Sequence, residues 1–169
     1  PGLLCSLQDS GRPGYARLGI GRSGAADLPA LQLANALVGN APDCAGLEMT
    51  LQGATLRFER ECIFALTGAP LPTARLNGQP IAQWCPIYAP AGSQLECGGM
   101  PIGCRAYLAV NGGFSMPDWL GSKATDLNAG LGPLPRKLQT GDQLALNPAA
   151  HVAPSNKGWQ LAADHWFQP

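Results

Sequence analysis

Gln8, Asp9 and Arg12 stand within five positions of one another in Gln8-Asp9-Ser10-Gly11-Arg12, almost at the start of the chain. An arginine carries a planar fork of donors that grips a carboxylate or phosphate through two parallel bonds. An aspartate can accept a proton or orient a substrate N–H, and a glutamine amide both donates and accepts. Together these residue types suit a small amide or carboxylate. They also suit a purely structural loop, in which Asp9 pairs with Arg12 and caps a turn while Gly11 and Pro13-Gly14 bend the chain.

A second polar loop, Gly21-Arg22-Ser23-Gly24-Ala25-Ala26-Asp27, follows at once. Ser23, Gly24 and the backbone amides ahead of a helix could hold an anion. The competing reading is an ordinary helix after a glycine turn, with Asp27 at its positive end. Glu48 and Thr50 alternate with Leu47, Met49 and Leu51, so they share one face of a strand. If that face meets a cleft, Glu48 is a catalytic or binding residue; if it meets water, Glu48 is ordinary. Asn35 lies among apolar helix residues, where an unpartnered amide costs about 1–3 kcal/mol, so it is expected to bond a neighbouring loop such as the first. Asn111-Gly112-Gly113 reads as a strand-end turn beside the same cleft. Gly121 to Thr125 is a further polar loop that either meets a ligand or only turns the chain, and Asp142 reads as a hairpin-turn residue.

These groups sit in a chain of 169 residues with 13% charged residues and no formal net charge. That length suffices for one domain, which buries roughly 70% of its unfolded surface. The charge balance argues against a nucleic-acid surface, which needs a basic patch, and no block of like charge marks a membrane-surface segment. No apolar run approaches the roughly 20 residues that span a bilayer. The chain opens on Pro1 instead of Met, so a trimmed start is expected. Cys5, Cys44, Cys62, Cys85, Cys97 and Cys104 form no Cys-x-x-Cys pair and lie mostly in apolar runs. They are expected as buried free thiols, not a disulfide framework. No metal site is expected, because zinc wants closely spaced ligands and His151 and His165 both lie in the tail.

Positioning falls to many short strands. Glycine and proline punctuate the whole chain, which suits strands joined by tight turns. The expected strands are Leu3 to Leu7, Gly46 to Leu51, Thr55 to Glu59, Cys62 to Thr67, Thr73 to Leu76, Gln79 to Ile81, Pro86 to Ala89, Gln94 to Cys97, Cys104 to Val110 and Gln143 to Asn147. Gln52-Gly53-Ala54 reads as a hairpin turn, and Asn77-Gly78 as a stronger one, because both of its residues tolerate positive φ. One helix is clear, Leu28 to Val38, with Asp27 as N-cap, Pro29 in the first turn and Gly39 closing it. A weaker helical turn is expected near Pro117 to Gly121. The pattern predicts a mainly-β barrel or sandwich. From about Pro148 the composition changes, and Trp159, Trp166 and Phe167 would need a cover; 148–169 reads as a linker to a missing second half.

The segments QDSGRPGY, SGAADLPALQLANALVGN, LEMTLQGATLRFE, ALTGA, CRAYLAVNGG and LGSKATDLNAGLG occur in this order across nearly the whole chain. That series resembles the biotin-dependent carboxyltransferase-like family, also called allophanate hydrolase subunit 2, whose members include the C component of bacterial 5-oxoprolinases and the Kip antagonist. It is also similar to one half of the carboxyltransferase domain of urea carboxylases. The resemblance implies a cyclophilin-like β-barrel over 1–147, the N-terminal half of a two-part protein. It implies a heteromeric, cytoplasmic complex with two partners, the B component of 5-oxoprolinase, which resembles the Kip inhibitor, and the A component. That complex would hydrolyse 5-oxoproline to glutamate with ATP, and this chain would be inactive alone.

The alternatives implied are carboxyl transfer in a biotin-dependent urea or amide carboxylase, and a regulatory antagonist that binds a kinase inhibitor. No nucleotide motif and no Met-Lys-Met biotin site is present, so no cofactor is expected in this chain. ATP would serve the complex, and biotin would enter only through the carboxylase alternative. The resemblance places Gln8, Asp9, Gly11, Arg12, Ser23, Gly24 and Asp27 in the family's two loop segments. Taken with Glu48 and Asn35 from the reading of the strand and helix, the expected site is catalytic at Asp9 and Glu48 and substrate-binding at Gln8, Arg12, Ser23, Gly24 and Asn35. Arg12 would grip a carboxylate while Gln8 and Asp9 orient an amide. The chain departs from the family pattern at Ala26, where methionine is usual, and in LPRKLQTGD, which lacks the expected glycine-rich form.

Overall fold

The computed structural model describes residues 2–149. Within them run β1 (Leu4–Gln8), a 3-10 turn (Ala16–Leu18), α1 (Leu28–Leu37), β2 (Gly46–Thr50), β3 (Thr55–Arg57), β4 (Cys62–Gly68), β5 (Arg75–Leu76), β6 (Gln79–Pro80), β7 (Ile87–Ala89), β8 (Gln94–Glu96) and β9 (Arg105–Val110). A five-stranded sheet has the order β1-β2-β9-β4-β7, and a four-stranded sheet the order β3-β8-β5-β6. Every pairing is antiparallel. The architecture is therefore mainly β with one helix.

Alternation divides the larger sheet into two faces. Cys5, Leu7, Leu47, Met49, Phe64, Leu66, Leu108 and Val110 occupy one face and join Leu95, Cys97 and Phe58 in a single core with the second sheet. Burial of side chains such as Leu66 and Leu108 stabilises by about 1.5–3 kcal/mol each. On the opposite face, Ile63, Ala65 and Ala109 pack against Ala34, Leu37 and Val38 of α1 and its end. That face also carries a row of buried polar side chains, and this row is what builds the site. Register lines up Ser6, Glu48, Tyr107 and Thr67 in one row across β1, β2, β9 and β4. Thr50 and Arg105 form the next row.

The helix begins where its cap requires: the Asp27 carboxylate accepts from Ala30 N–H at 3.1 Å, and Pro29 stands in the first turn. It ends at Leu37, one residue short of the expected end, with Gly39 at φ 73° beyond it. Asn77-Gly78 closes the β5–β6 hairpin with φ values of 52° and 78°.

Three expectations are corrected. Gln52-Gly53-Ala54 does not close a hairpin, because β2 pairs with β1 and β9 whereas β3 pairs with β8. Leu51 turns at φ 59° and its N–H bonds the Cys104 carbonyl, which sends the chain from one sheet to the other. Gln143 to Asn147 forms no strand; its one pairing is the isolated bridge between Leu146 and Phe114. Pro117 to Gly121 is not helical, because Leu120 stands at φ 52° inside a tight turn bridged by Trp119 and Ser122.

All six cysteines are free. Cys5, Cys62 and Cys97 are buried as expected, but Cys44 and Cys85 are half-buried and Cys104 is exposed, because it precedes the buried run of β9. Among the described residues no helix is long and apolar enough to cross a membrane. The expected tail with Trp159, Trp166 and Phe167 lies outside the described residues.

Candidate functional site

Glu48 lies at the centre of the polar row. Its Oε2 accepts from the Ala26 N–H at 2.8 Å and from the Tyr107 hydroxyl at 2.8 Å. Its Oε1 forms an ion pair with Arg105 Nε at 3.3 Å. The Tyr107 hydroxyl also accepts from the Asp27 N–H at 2.7 Å. One carboxylate and one phenol thereby fasten the second polar loop and the start of α1 to the sheet. Burial, reinforced by the Glu48 charge, pushes the Tyr107 hydroxyl well above the ordinary tyrosine range. It therefore stays protonated and donates. Thr67 completes the row by donating to the Ala30 carbonyl at 2.7 Å.

Beside this row opens a cleft of about 390 Å³, lined by Ala26, Asp27, Ala30, Trp84, Cys104 and Arg105 among others. Its size falls within the range typical of small-molecule sites. Arg105 and Asp27 supply charge, whereas Trp84 and the helix residues supply apolar wall. Glu48 does not itself line the cleft; it stands behind Arg105 and Ala26.

The first loop forms a second, contiguous cluster. Asp9 is buried, and its Oδ1 accepts from Gly11 N–H and from the Ser122 hydroxyl, each at 2.7 Å, while Oδ2 accepts from Lys123 N–H at 2.6 Å. Gln8 donates to Ser6 Oγ at 2.9 Å and to the Thr125 carbonyl at 3.0 Å. Arg12 is fully buried, donates from Nη2 to the Ala124 carbonyl, and places its guanidinium carbon 5.0 Å from the centre of the Trp119 ring. Its Nε and Nη1 have no hydrogen-bond partner among the described residues. Asp9 does not pair with Arg12; both bond the 122–125 loop instead.

The two loops interlock through glycines. A Cβ on Gly11 would stand 2.6 Å from the Arg22 and Ser23 carbonyls, and one on Gly24 would stand 2.9 Å from Gly11 N. Both residues have positive φ. Ala25 N–H then bonds the Asp9 carbonyl at 2.9 Å, and the next residue, Ala26, bonds Glu48. This is why one small domain carries two glycine-rich loops so close together: each is the other's partner.

Of the expected site residues, the fold brings Gln8, Asp9, Arg12, Ser23, Gly24 and Glu48 into this contiguous region. Asn35 falls elsewhere. It donates to the Cys44 carbonyl at 2.7 Å and accepts from Asn40 at 3.1 Å, so it bonds the loop after α1, not the first loop. Asn111 is likewise away from the main cleft: it accepts from Ile63 N–H and lines a separate hollow of about 240 Å³ with Asn40 and Cys44. Asp142 ties its own turn, pairing with Arg136 at 2.7 Å and accepting from Gln139 N–H at 2.8 Å. Sequence reasoning missed Arg105 and Tyr107. The signal was present, because they alternate with Ala106 and Leu108 as Glu48 and Thr50 alternate with Leu47 and Met49.

The chain matches the family described as carboxyltransferase domain, subdomain A and B, over residues 18–168. It is 42% identical over 146 residues to the C component of 5-oxoprolinase from Escherichia coli, covering 86% of this chain and 47% of that protein. It is 40% identical over 149 residues to the urea amidolyase of Lachancea kluyveri, covering 87% of this chain and 8% of that protein. The solved urea amidolyase of K. lactis superposes with a TM-score of 0.84 at 41% identity, covering 88% of this chain and 9% of that one. The chain thus spans less than half the length of these curated relatives.

Proposed function

The chain belongs to the family of the carboxyltransferase domain, subdomain A and B, and on that premise we propose that it is part of the C component of an ATP-dependent 5-oxoprolinase. The complex hydrolyses the cyclic amide 5-oxoproline to glutamate, with the A and B components as partners in a cytoplasmic setting. ATP is handled by those partners. The observation that carries this reading is the cleft in front of Glu48, where Arg105 offers a cation, Asp27 an anion and Trp84 apolar wall to a compact amide. A carboxylate-bearing lactam matches that mixture. The 42% identity to the C component of a 5-oxoprolinase supports the same choice.

In this reading Glu48 acts through its neighbours. It holds Arg105 at the cleft wall and fixes Ala26 at the entry to α1. Gln8, Asp9, Arg12, Ser23 and Gly24 support the same wall from behind, through the interlocked loops. A second reading, carboxyl transfer from carboxybiotin to urea, draws support from an equally strong likeness, 40% identity to a urea amidolyase. Under that reading the biotin would come from another domain or protein. Reconstitution separates the two. Glutamate release from 5-oxoproline and ATP, lost when the full-length form of this protein is omitted, supports the oxoprolinase; bicarbonate-dependent carboxylation of urea supports the alternative.

A further inference from the structure

Two charged groups on the cleft wall retain unused bonding capacity. Arg105 meets Glu48 through Nε at 3.3 Å and donates from Nη1 to the Cys104 carbonyl at 3.2 Å. A guanidinium has five donors, so the outer edge of the fork is left for a ligand. Glu48 stands behind Arg105 and already accepts from Ala26 and Tyr107, so the cleft meets the cation of the pair. Asp27 is exposed and also lines the cleft. Its Oδ1 caps the helix by accepting from Ala30 N–H, and its Oδ2 has no hydrogen-bond partner among the described residues. Its backbone is held by the Tyr107 hydroxyl, so the sheet sets its position. Trp84 lines the same cleft at φ 63°, a backbone conformation that bulky residues rarely adopt and that clusters at ligand clamps.

We infer that Arg105 and Asp27 form a two-point recognition site for a small cyclic amide whose carboxylate lies next to its ring N–H. Arg105 takes the carboxylate through its fork, Asp27 accepts from the N–H, and Trp84 covers the ring. The site deepens the oxoprolinase reading and rests on it for the identity of the ligand. Its charge pattern also selects. Urea offers N–H groups to Asp27 but only a neutral carbonyl to Arg105, without the charge-assisted pair a carboxylate makes, and a phosphate offers anionic oxygens to Arg105 but is repelled by Asp27.

The test is calorimetric binding of 5-oxoproline and of 2-pyrrolidone, the same ring without its carboxylate, to the full-length protein assembled with its partners in the absence of ATP. In the wild type 5-oxoproline binds roughly 10- to 100-fold more tightly, the value of a charge-assisted bond. In Arg105→Gln that ratio falls to near one while 2-pyrrolidone binding is unchanged, which damage to the fold would not produce. Asp27→Asn keeps the helix cap, since asparagine caps as well as aspartate, and weakens both ligands about tenfold. A wild-type ratio near one, an unchanged ratio in Arg105→Gln, or no binding of either ligand overturns the site. If the complex releases glutamate and the ratio ignores Arg105, the site is wrong and the oxoprolinase reading stands. If it makes no glutamate yet the ratio depends on Arg105, the reading is wrong and the site stands.

Discussion

The Tyr107 hydroxyl and the Glu48 carboxylate face each other across β9 and β2 at 2.8 Å, and between them they hold Ala26 and Asp27. A buried polar pair of this kind is worth most when every member is satisfied, and here it joins the sheet to the mouth of the cleft.

Tyr107→Phe removes the acceptor of the Asp27 N–H and one donor to Glu48. The expected loss is about 1–3 kcal/mol, the cost of leaving such groups unpaired, read as a lower midpoint in urea unfolding with an unchanged slope. The folded state raises the affinity of this hydroxyl for its proton. Its contribution is therefore full below the ordinary tyrosine value of about 10 and is lost as pH rises beyond it. In Tyr107→Phe the alkaline loss of stability should be shallower; an identical alkaline limb in both proteins would refute this.

Asp9→Ala strands the Gly11 and Lys123 N–H groups and the Ser122 hydroxyl together. Bonds to a charged acceptor contribute about 1.5–3 kcal/mol each, not fully additively, so the expected destabilisation is on the order of 3 kcal/mol. Gly11→Ala should act on the same interlock, because its Cβ would collide with backbone carbonyls of the second loop. Thermal unfolding of both variants checks this, and a shift within experimental error would refute it.

Thiol labelling should be strongly selective. Burial raises the Cys97 thiol to about 12 and the Cys62 thiol to about 11, whereas Cys104 is exposed at the cleft. The thiolate is the reactive form, so iodoacetamide at neutral pH should modify Cys104 first. Saturating 5-oxoproline should slow that modification in the assembled complex. Mass spectrometry of the digested protein reads both effects; faster labelling at Cys62 or Cys97 would contradict the burial described.

Hydrogen bonds from Arg136, then from the Gln139 N–H, hold the Asp142 carboxyl down at about 2. A depressed carboxyl contributes its stabilisation above the unfolded value of about 4, and that stabilisation is lost as pH falls toward the folded value. Asp142→Asn should therefore be less stable than wild type at neutral pH, and the difference should shrink from about pH 4 to about pH 2. Unfolding followed across that window checks it, and a difference that widened toward acid would refute it.

Local signals carried much of the fold. The Asp27 cap, the Asn77-Gly78 hairpin and the continuous apolar run from Cys62 to Thr67 each state their structure within a few residues, and each forms as expected. The crossing at Leu51 was hidden, because a hairpin turn and a step between sheets use the same glycine-rich chemistry; what separates them is the distant partner, Cys104. The site divides in the same way. Glu48 and Thr50 were legible from alternation, but the row that joins Glu48 to Tyr107 depends on register between strands far apart in sequence. The first loop was legible as a cluster, yet its partners, Ser122 to Thr125, lie more than a hundred residues away.

The most direct measurement is glutamate release from 5-oxoproline and ATP by the complete complex, in its wild-type form and with Glu48→Gln in this protein. The variant keeps an acceptor for Ala26 and Tyr107 but deprives Arg105 of its counter-charge. Release by the wild type, falling about tenfold or more in the variant while the complex stays assembled, is the predicted result, a loss equivalent to about 1.4 kcal/mol. An assembled wild-type complex that releases no glutamate but carboxylates urea with bicarbonate would contradict it.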